Sequence, residues 1–311
     1  MKSANLLKGA GLLLFAAIFW GGLFPVAKSA LIALDPYILT AIRYGSTALI
    51  FLVLLVWSEG RQALRLETRG LELWLFGSIG FAGFSLFVFA GLGSTTPEHG
   101  AVILALMPMI TVLFNWGLKG NRPAGFTLAT VLMAFVGVFL VVTAGHPRTA
   151  FTHAGMQGDL LILMGTVSWV IYTLGAARFQ VWSPLRYSAL SCAMGTISIL
   201  AIALAAILLG FSKLPDFATL RHVWSELLYI VVFASVLAVL SWNAGIKMLG
   251  SLNGVLFINF VPITAFALGI LLGHHFGDAE LLGAALTIMA LVANNLYLRR
   301  KDMSRPLRRA T

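Results

Sequence analysis

One cysteine in 311 residues, Cys192, excludes an internal disulfide. Charge is nearly as scarce: Lys, Arg, Asp and Glu make up 10% of the chain, and only 11 residues are acidic. Soluble domains carry about 25% charged residues. Long polar stretches are also missing, so no segment between the apolar runs is long enough for a catalytic domain. There is no Walker-type phosphate loop, no His-Glu-x-x-His zinc pair and no Gly-x-Ser-x-Gly elbow. His274-His275 is a poor zinc site, because adjacent residues of a helix point apart. No enzymatic activity and no cofactor is therefore expected.

Apolar residues fill the space left by charge. They make up 59% of the chain, and the mean hydropathy is +0.94. They come in runs of about 20, the length that crosses a hydrocarbon core as a helix. Lipid offers no partners to backbone N–H and C=O groups, so such runs must be helical. Spans are expected near 9–31, 37–57, 71–92, 97–116, 124–144, 158–178, 185–210, 224–247, 252–273 and 279–298. The fold class is all-α integral membrane, with ten transmembrane helices. The first run follows Lys2 and Lys8 as a signal peptide would. It lacks a small-residue cleavage site and is long enough to span, so it is expected to remain in the mature chain. Cys192 falls inside the seventh span, where a small buried hydrophobe is expected.

The net charge of +10 raises the question of nucleic acid, and its distribution answers it. With a cytoplasmic N-terminus and ten spans, one side receives Lys2, Lys8, Arg61, Arg65, Arg69, Lys119, Arg122, Arg178, Arg186, Lys247, Arg299, Arg300, Lys301, Arg305, Arg308 and Arg309. The other receives Lys28, Arg148, Lys213 and Arg221, and Arg43 lies within the second span. That asymmetry is the positive-inside pattern, with both termini cytoplasmic. The basic tail, 299–311, reads as an anchor beside anionic headgroups, so membrane lipid is an expected partner and nucleic acid is not. The bacterial inner membrane is the expected location.

The chain also matches itself. Ala90, Gly91, Gly100 and Pro108 recur as Ala244, Gly245, Gly254 and Pro262, each 154 residues on. Trp20 and Trp169 lie mid-span in the first and sixth helices, 149 apart. Two five-helix repeats are expected at 1–148 and 149–298. An odd number of spans per repeat makes their topologies inverted, an arrangement that brackets a substrate near the midplane and permits alternating access.

Ionisable groups are costly to place in lipid, which makes those within spans candidates for function. Arg43 lies about one turn into the second span and offers a planar fork to a carboxylate or phosphate; pairing with Asp35 is the plainer reading. Lys28 is either a second anion contact or a snorkelling side chain. Glu98 and His99 open the fourth span, where they could accept a substrate ammonium, exchange a proton as a gate, or cap the helix. His99 aligns with Asn253 at the opposite mouth of the ninth span. Trp20, Phe24, Tyr44, Trp169, Tyr172 and Trp242 supply flat walls for a cavity, or interhelix packing. Asn243 and Asn259 are amides in apolar runs, suited to substrate contact or interhelical hydrogen bonds. Pro108 and Pro262 each free a backbone carbonyl and allow a hinge or a static bend. A central cavity lined by Trp20, Tyr44, Trp169 and Tyr172, with Arg43 in its outer part, is the expected substrate site.

Trp20-Gly21, Phe24 and Lys28, Pro36 with Arg43, Pro108, Gly137-Val138, Gly158-Asp159 with Trp169 and Tyr172, and Pro262 occur in an order that resembles the drug/metabolite transporter superfamily. The resemblance is to its ten-helix EamA-type carriers and covers nearly the whole chain. Leu272-Gly273-His274-His275 departs from the Leu-Gly-Glu that members often carry there. The resemblance implies a secondary transporter, in the sense of an exporter, of amino acids or related metabolites. It implies a small-molecule substrate moved by facilitated diffusion, by exchange for another solute, or with a proton. A membrane ligand-binding or sensory protein without transport is the alternative. Substrate identity and oligomeric state are not legible.

Overall fold

The computed structural model describes residues 3–120, 122–146, 154–249 and 255–304. Among these the chain is helical without strands. Nine helices are long and apolar enough to cross a membrane: α1 (Leu7–Ala30), α2 (Pro36–Glu59), α3 (Gly70–Ser94), α4 (Pro97–Leu118), α5 (Gly125–Thr143), α6 (Gly155–Phe179), α7 (Pro184–Leu208), α8 (Trp224–Ile246) and, last in the chain, Asp278–Leu298. The shorter apolar helix Phe257–Leu271 precedes the last, so it is α9 and Asp278–Leu298 is α10. Each expected span thus has a helix among the described residues.

Three of these helices start on one local code. Asp35-Pro36, Thr96-Pro97 and Ser183-Pro184 each set a side-chain oxygen before a proline. Asp35 accepts from the N–H groups of Tyr37 and Ile38, Thr96 from His99, and Ser183 from Arg186. The cap satisfies a donor the helix cannot, and proline fixes the first turn without needing an N–H. Outward faces carry apolar stripes at helical spacing, such as Leu49, Val53 and Trp57 on α2, and Leu132, Val136 and Phe139 on α5. Such stripes belong against lipid tails.

The chain folds as two compact units, each drawn from both halves of the sequence. One comprises Leu23–Thr95 and Gln157–Leu240. In it α2 packs on α7 and α8, and α3 on α7. A Cβ on Gly195 would lie 2.4 Å from the Gly77 carbonyl oxygen, so α3 and α7 touch backbone to backbone. Two helices carry π turns, Ser78–Gly83 in α3 and Tyr229–Leu237 in α8. Ionic contacts tie the 61–69 connection to the start of α7. Arg186 contacts Glu67 at 2.6 Å, and the Trp182 indole donates to the same carboxylate. Those bonds, Arg186 first, hold the Glu67 carboxyl below the usual carboxylate range. Glu67 and Thr68 have φ of 49° and 64°, a left-handed turn that non-glycine residues seldom adopt.

The other unit comprises Met1–Gly22, Thr96–Met156 and Ser241–Thr311. Its principal packing is α5 on α10, with α4 on α9. A Cβ on Gly137 would lie 2.4 Å from Thr287 Oγ1 and 2.6 Å from the Gly283 carbonyl oxygen. α4 is broken at Leu106, between Pro97–Ala105 and Met107–Lys119, one residue before the Pro108 turn. α9 opens with a 3-10 segment, Val255–Asn259, three residues before Pro262.

Candidate functional site

Arg43 is the centre of the first unit's polar interior. It is 4% exposed, two turns from the start of α2. Its Nε donates to Ser235 Oγ at 2.9 Å and its Nη1 to Ser85 Oγ at 3.2 Å. Its guanidinium carbon lies 4.8 Å from the centre of the Tyr44 ring and 5.5 Å from that of Phe89. No carboxylate pairs with it among the described residues. The expected alternative partner, Asp35, spends its oxygens on the α2 cap and on Ser212. The π turns place the hydroxyls. Ser235 sits within the turn of α8 and donates to Ile230 five residues back, and Ser85 follows the turn of α3. Such turns inside helices are frequent at functional sites.

Beside Arg43, aromatic rings gather around Phe81. Its centroid lies 5.0 Å from Tyr44, 5.8 Å from Trp169 and 5.0 Å from Tyr172. Trp169 and Tyr172 are 5.1 Å apart, and Tyr187 stacks on Tyr172. The structure therefore brings Arg43, Tyr44, Trp169 and Tyr172 into one neighbourhood. Phe24, in the same unit, is fully buried. Lys28 donates to the carbonyls of Leu92 and Thr95, the residues that close α3. A cation at a helix C-terminus satisfies carbonyls that have no donor of their own. Facing the connections that follow α1 and α7, a cleft of about 690 Å³ includes Leu31, Asp35, Phe89, Lys213 and Asp216 in its lining. Phe89 both lines it and lies beside Arg43.

The remaining candidates lie in the second unit. Trp20 and Trp242 meet there at 5.1 Å, with Asn243 half-buried beside Trp242. Glu98 is 2% exposed, and its Oε1 lies 3.1 Å from His274 Nδ1. Gly269 makes room for that carboxylate, since a Cβ there would lie 2.4 Å from Oε1. His99 sits in the first turn of α4, its N–H donating to Thr96. Asn259 is 3% exposed, and neither amide atom has a protein partner among the described residues. Asn253 lies outside the described residues. Among the described residues no three His, Cys, Asp or Glu side chains could hold a metal ion.

Sequence reasoning missed Phe81, Ser85, Phe89 and Ser235. A phenylalanine among 22, or a serine in an apolar run, carries no local signal. What marks these residues is contact with Arg43 or with its aromatic neighbours.

Apolar helices around a buried cation and a cluster of rings define a multi-pass membrane protein with a polar interior, the architecture of a small-solute carrier. The chain belongs to the EamA-like transporter family, whose model matches it twice, over residues 7–143 and 156–296. It is 34% identical to YrdR, an uncharacterized transporter of Bacillus subtilis, over 99% of this chain and 98% of that one. It is 26% identical to the aromatic amino acid exporter YddG of Ancylobacter novellus, over 55% of this chain and 58% of that one. A solved crystal structure shares its fold with a TM-score of 0.66 at 22% identity, over 96% of this chain and 99% of that one.

Proposed function

We propose that this chain is a secondary transporter that exports a small metabolite bearing a carboxylate, an amino acid or close relative, by alternating access. The observation that carries this reading is Arg43. A guanidinium buried within membrane helices without a carboxylate partner is a costly arrangement, and retaining it makes sense if the counter-charge arrives with the substrate. Two hydroxyls orient the fork, and its other donors have no protein acceptor among the described residues. The rings of Tyr44, Phe81, Trp169 and Tyr172 suit an apolar or aromatic side chain on the same molecule.

Alternating access rests on inverted repeats, 1–148 and 149–298. Three helix pairs equivalent under that repeat, α2 with α7, α4 with α9 and α5 with α10, each pack on their counterpart, as a pseudo-two-fold axis would have them do. Irregularities recur in corresponding helices: π turns begin at Ser78 and Tyr229, and proline-associated breaks lie near Pro108 and Pro262. The double family match supports the same division. Pro108 and Pro262 are the hinges of this scheme, with both termini in the cytoplasm and the bacterial inner membrane as location.

Counterflow into proteoliposomes tests the reading. Vesicles preloaded with aromatic amino acids should accumulate the labelled compound, and vesicles preloaded with the corresponding amides should not. Equal exchange by amino acid and amide would remove the carboxylate from the recognition scheme. Ligand-dependent thermal stabilisation without flux would place the chain among receptors rather than carriers.

A further inference from the structure

A second polar site lies in the unit that does not contain Arg43. Asn259, Asn294 and Asn295 are 3%, 1% and 8% exposed. Four of their amide atoms are buried without a protein hydrogen-bond partner among the described residues: both of Asn259, Oδ1 of Asn294 and Nδ2 of Asn295. Each such atom is costly to leave unsatisfied. The three asparagines lie on elements that pack together. α9 packs against α10 through its 3-10 segment, which ends at Asn259. Nδ2 of Asn294 lies 3.8 Å from Met109 Sδ on α4, and α4 packs on α9. Main-chain oxygens add to the set. Pro108 has no N–H for the carbonyl of Leu104 four residues back, and Pro262 has none for that of Ile258. Neither carbonyl receives the usual donor from four residues on, and that of Leu104 accepts instead from the Leu106 N–H.

We propose that this junction binds a desolvated alkali cation through the carboxamide oxygens of Asn259 and Asn294 and the carbonyls at the two breaks. Two arguments select a monovalent cation. The unpartnered Oδ1 atoms of Asn259 and Asn294 are acceptors, which a positive ligand satisfies. The shell is neutral: Glu98 is eleven residues before Met109, about 16 Å along α4, Asp278 and Glu280 open the opposite end of α10, and exposed Arg300 lies beyond its apolar run. A neutral oxygen shell offsets the desolvation of one charge far more readily than that of two. Coordination by side-chain oxygens and irregular backbone is how membrane helices hold such ions.

The test uses purified, substrate-free protein, so its failure leaves the carboxylate reading at Arg43 untouched. Thermal unfolding is followed in sodium, potassium, lithium and choline chloride at equal ionic strength. One alkali ion should raise Tm above choline by about 2 °C or more, saturably with concentration. Asn259→Ala and Asn294→Ala should abolish the increment without lowering Tm in choline, since each removes an unsatisfied amide. Equal Tm of the wild type in all four salts, or an increment that survives both alanine substitutions, would overturn the proposal. Stabilisation by methylammonium beyond that of every alkali ion would also overturn it, in favour of an organic ammonium group.

Discussion

Replacing Arg43 by Met separates a binding role from a structural one. Met matches the length of the guanidinium stem and carries no charge. The substitution removes two hydrogen bonds to Ser235 and Ser85, each worth about 1 kcal/mol. It also removes the desolvation of a cation that has no carboxylate partner among the described residues, a term of several kcal/mol in the opposite direction. Ser235 keeps its bond to Ile230, so the loss strands little. The Met variant should therefore unfold at the wild-type temperature or above it. Transport should respond the other way. Truncating one partner of a buried, hydrogen-bonded charge pair costs about 2–5 kcal/mol. That corresponds to a rise of about 30-fold to several thousand-fold in the half-saturation concentration for a carboxylate substrate. Arg43→Lys keeps the charge without the planar fork and should fall between. The assays are thermal unfolding of purified protein and counterflow in proteoliposomes with checked insertion. A Met variant with depressed Tm and wild-type flux would refute the reasoning and make Arg43 a structural residue.

Three further predictions concern the scaffold. His274→Ala leaves the buried carboxylate of Glu98 without its ring partner, so a thermal-unfolding double-mutant cycle with Glu98→Gln should show coupling of about 1–3 kcal/mol; additive effects would remove the pair from the fold's stability. Gly137→Ala drives a methyl into the backbone of α10 and should destabilise by about 1–3 kcal/mol, read as a lowered Tm, whereas an unchanged Tm would contradict the close approach. Bonds from Arg186 and Trp182 hold the Glu67 carboxyl below its ordinary range, so the stability it adds is present above the unfolded carboxylate pKa and lost as pH falls through the folded one. The Tm gap between wild type and Glu67→Gln should accordingly be widest near neutrality and close in acid; a gap independent of pH would deny the ion pair any part in stability.

Helix content and span positions were legible because they rest on run length, which lipid enforces without reference to neighbours. The proline-led starts at Pro36, Pro97 and Pro184 were legible as boundaries for an equally local reason. The site was legible in part. Arg43, Tyr44, Trp169 and Tyr172 could be singled out because charge and large rings are conspicuous in apolar runs, and they share one neighbourhood. Phe81, which stands among them, is one phenylalanine in 22 and becomes visible only once α3 is set beside α2 and α6. Lys28 illustrates a different limit. Its distance from the span end suggested an anion contact or the headgroups, whereas its partners are carbonyls 64 and 67 residues away. No pattern local to either segment encodes such a bond.

The π turns show most clearly what spacing leaves out. Ser78–Gly83 and Tyr229–Leu237 read as ordinary apolar helix, because a π turn changes hydrogen-bond register without requiring a particular residue. Yet one contains Ser235 and the other ends two residues before Ser85, the two hydroxyls that hold the guanidinium. In the other unit the proline-associated irregularities of α4 and α9 lie on the elements that carry the proposed ion site at Asn259 and Asn294. In both proposals polar function is built where helices α3, α8, α4 and α9 depart from ideal geometry. Ideal helices satisfy every main-chain group internally and have nothing left to offer a solute. A carrier needs such departures, each shielded from lipid by neighbouring helices. The pairs α3 with α8 and α4 with α9 occupy equivalent places in the two halves of the chain. If duplication placed them there, restoring regular helix at one member, by deleting a residue within Tyr229–Leu237, should weaken carboxylate transport through Ser235 while leaving the alkali-ion increment in Tm intact.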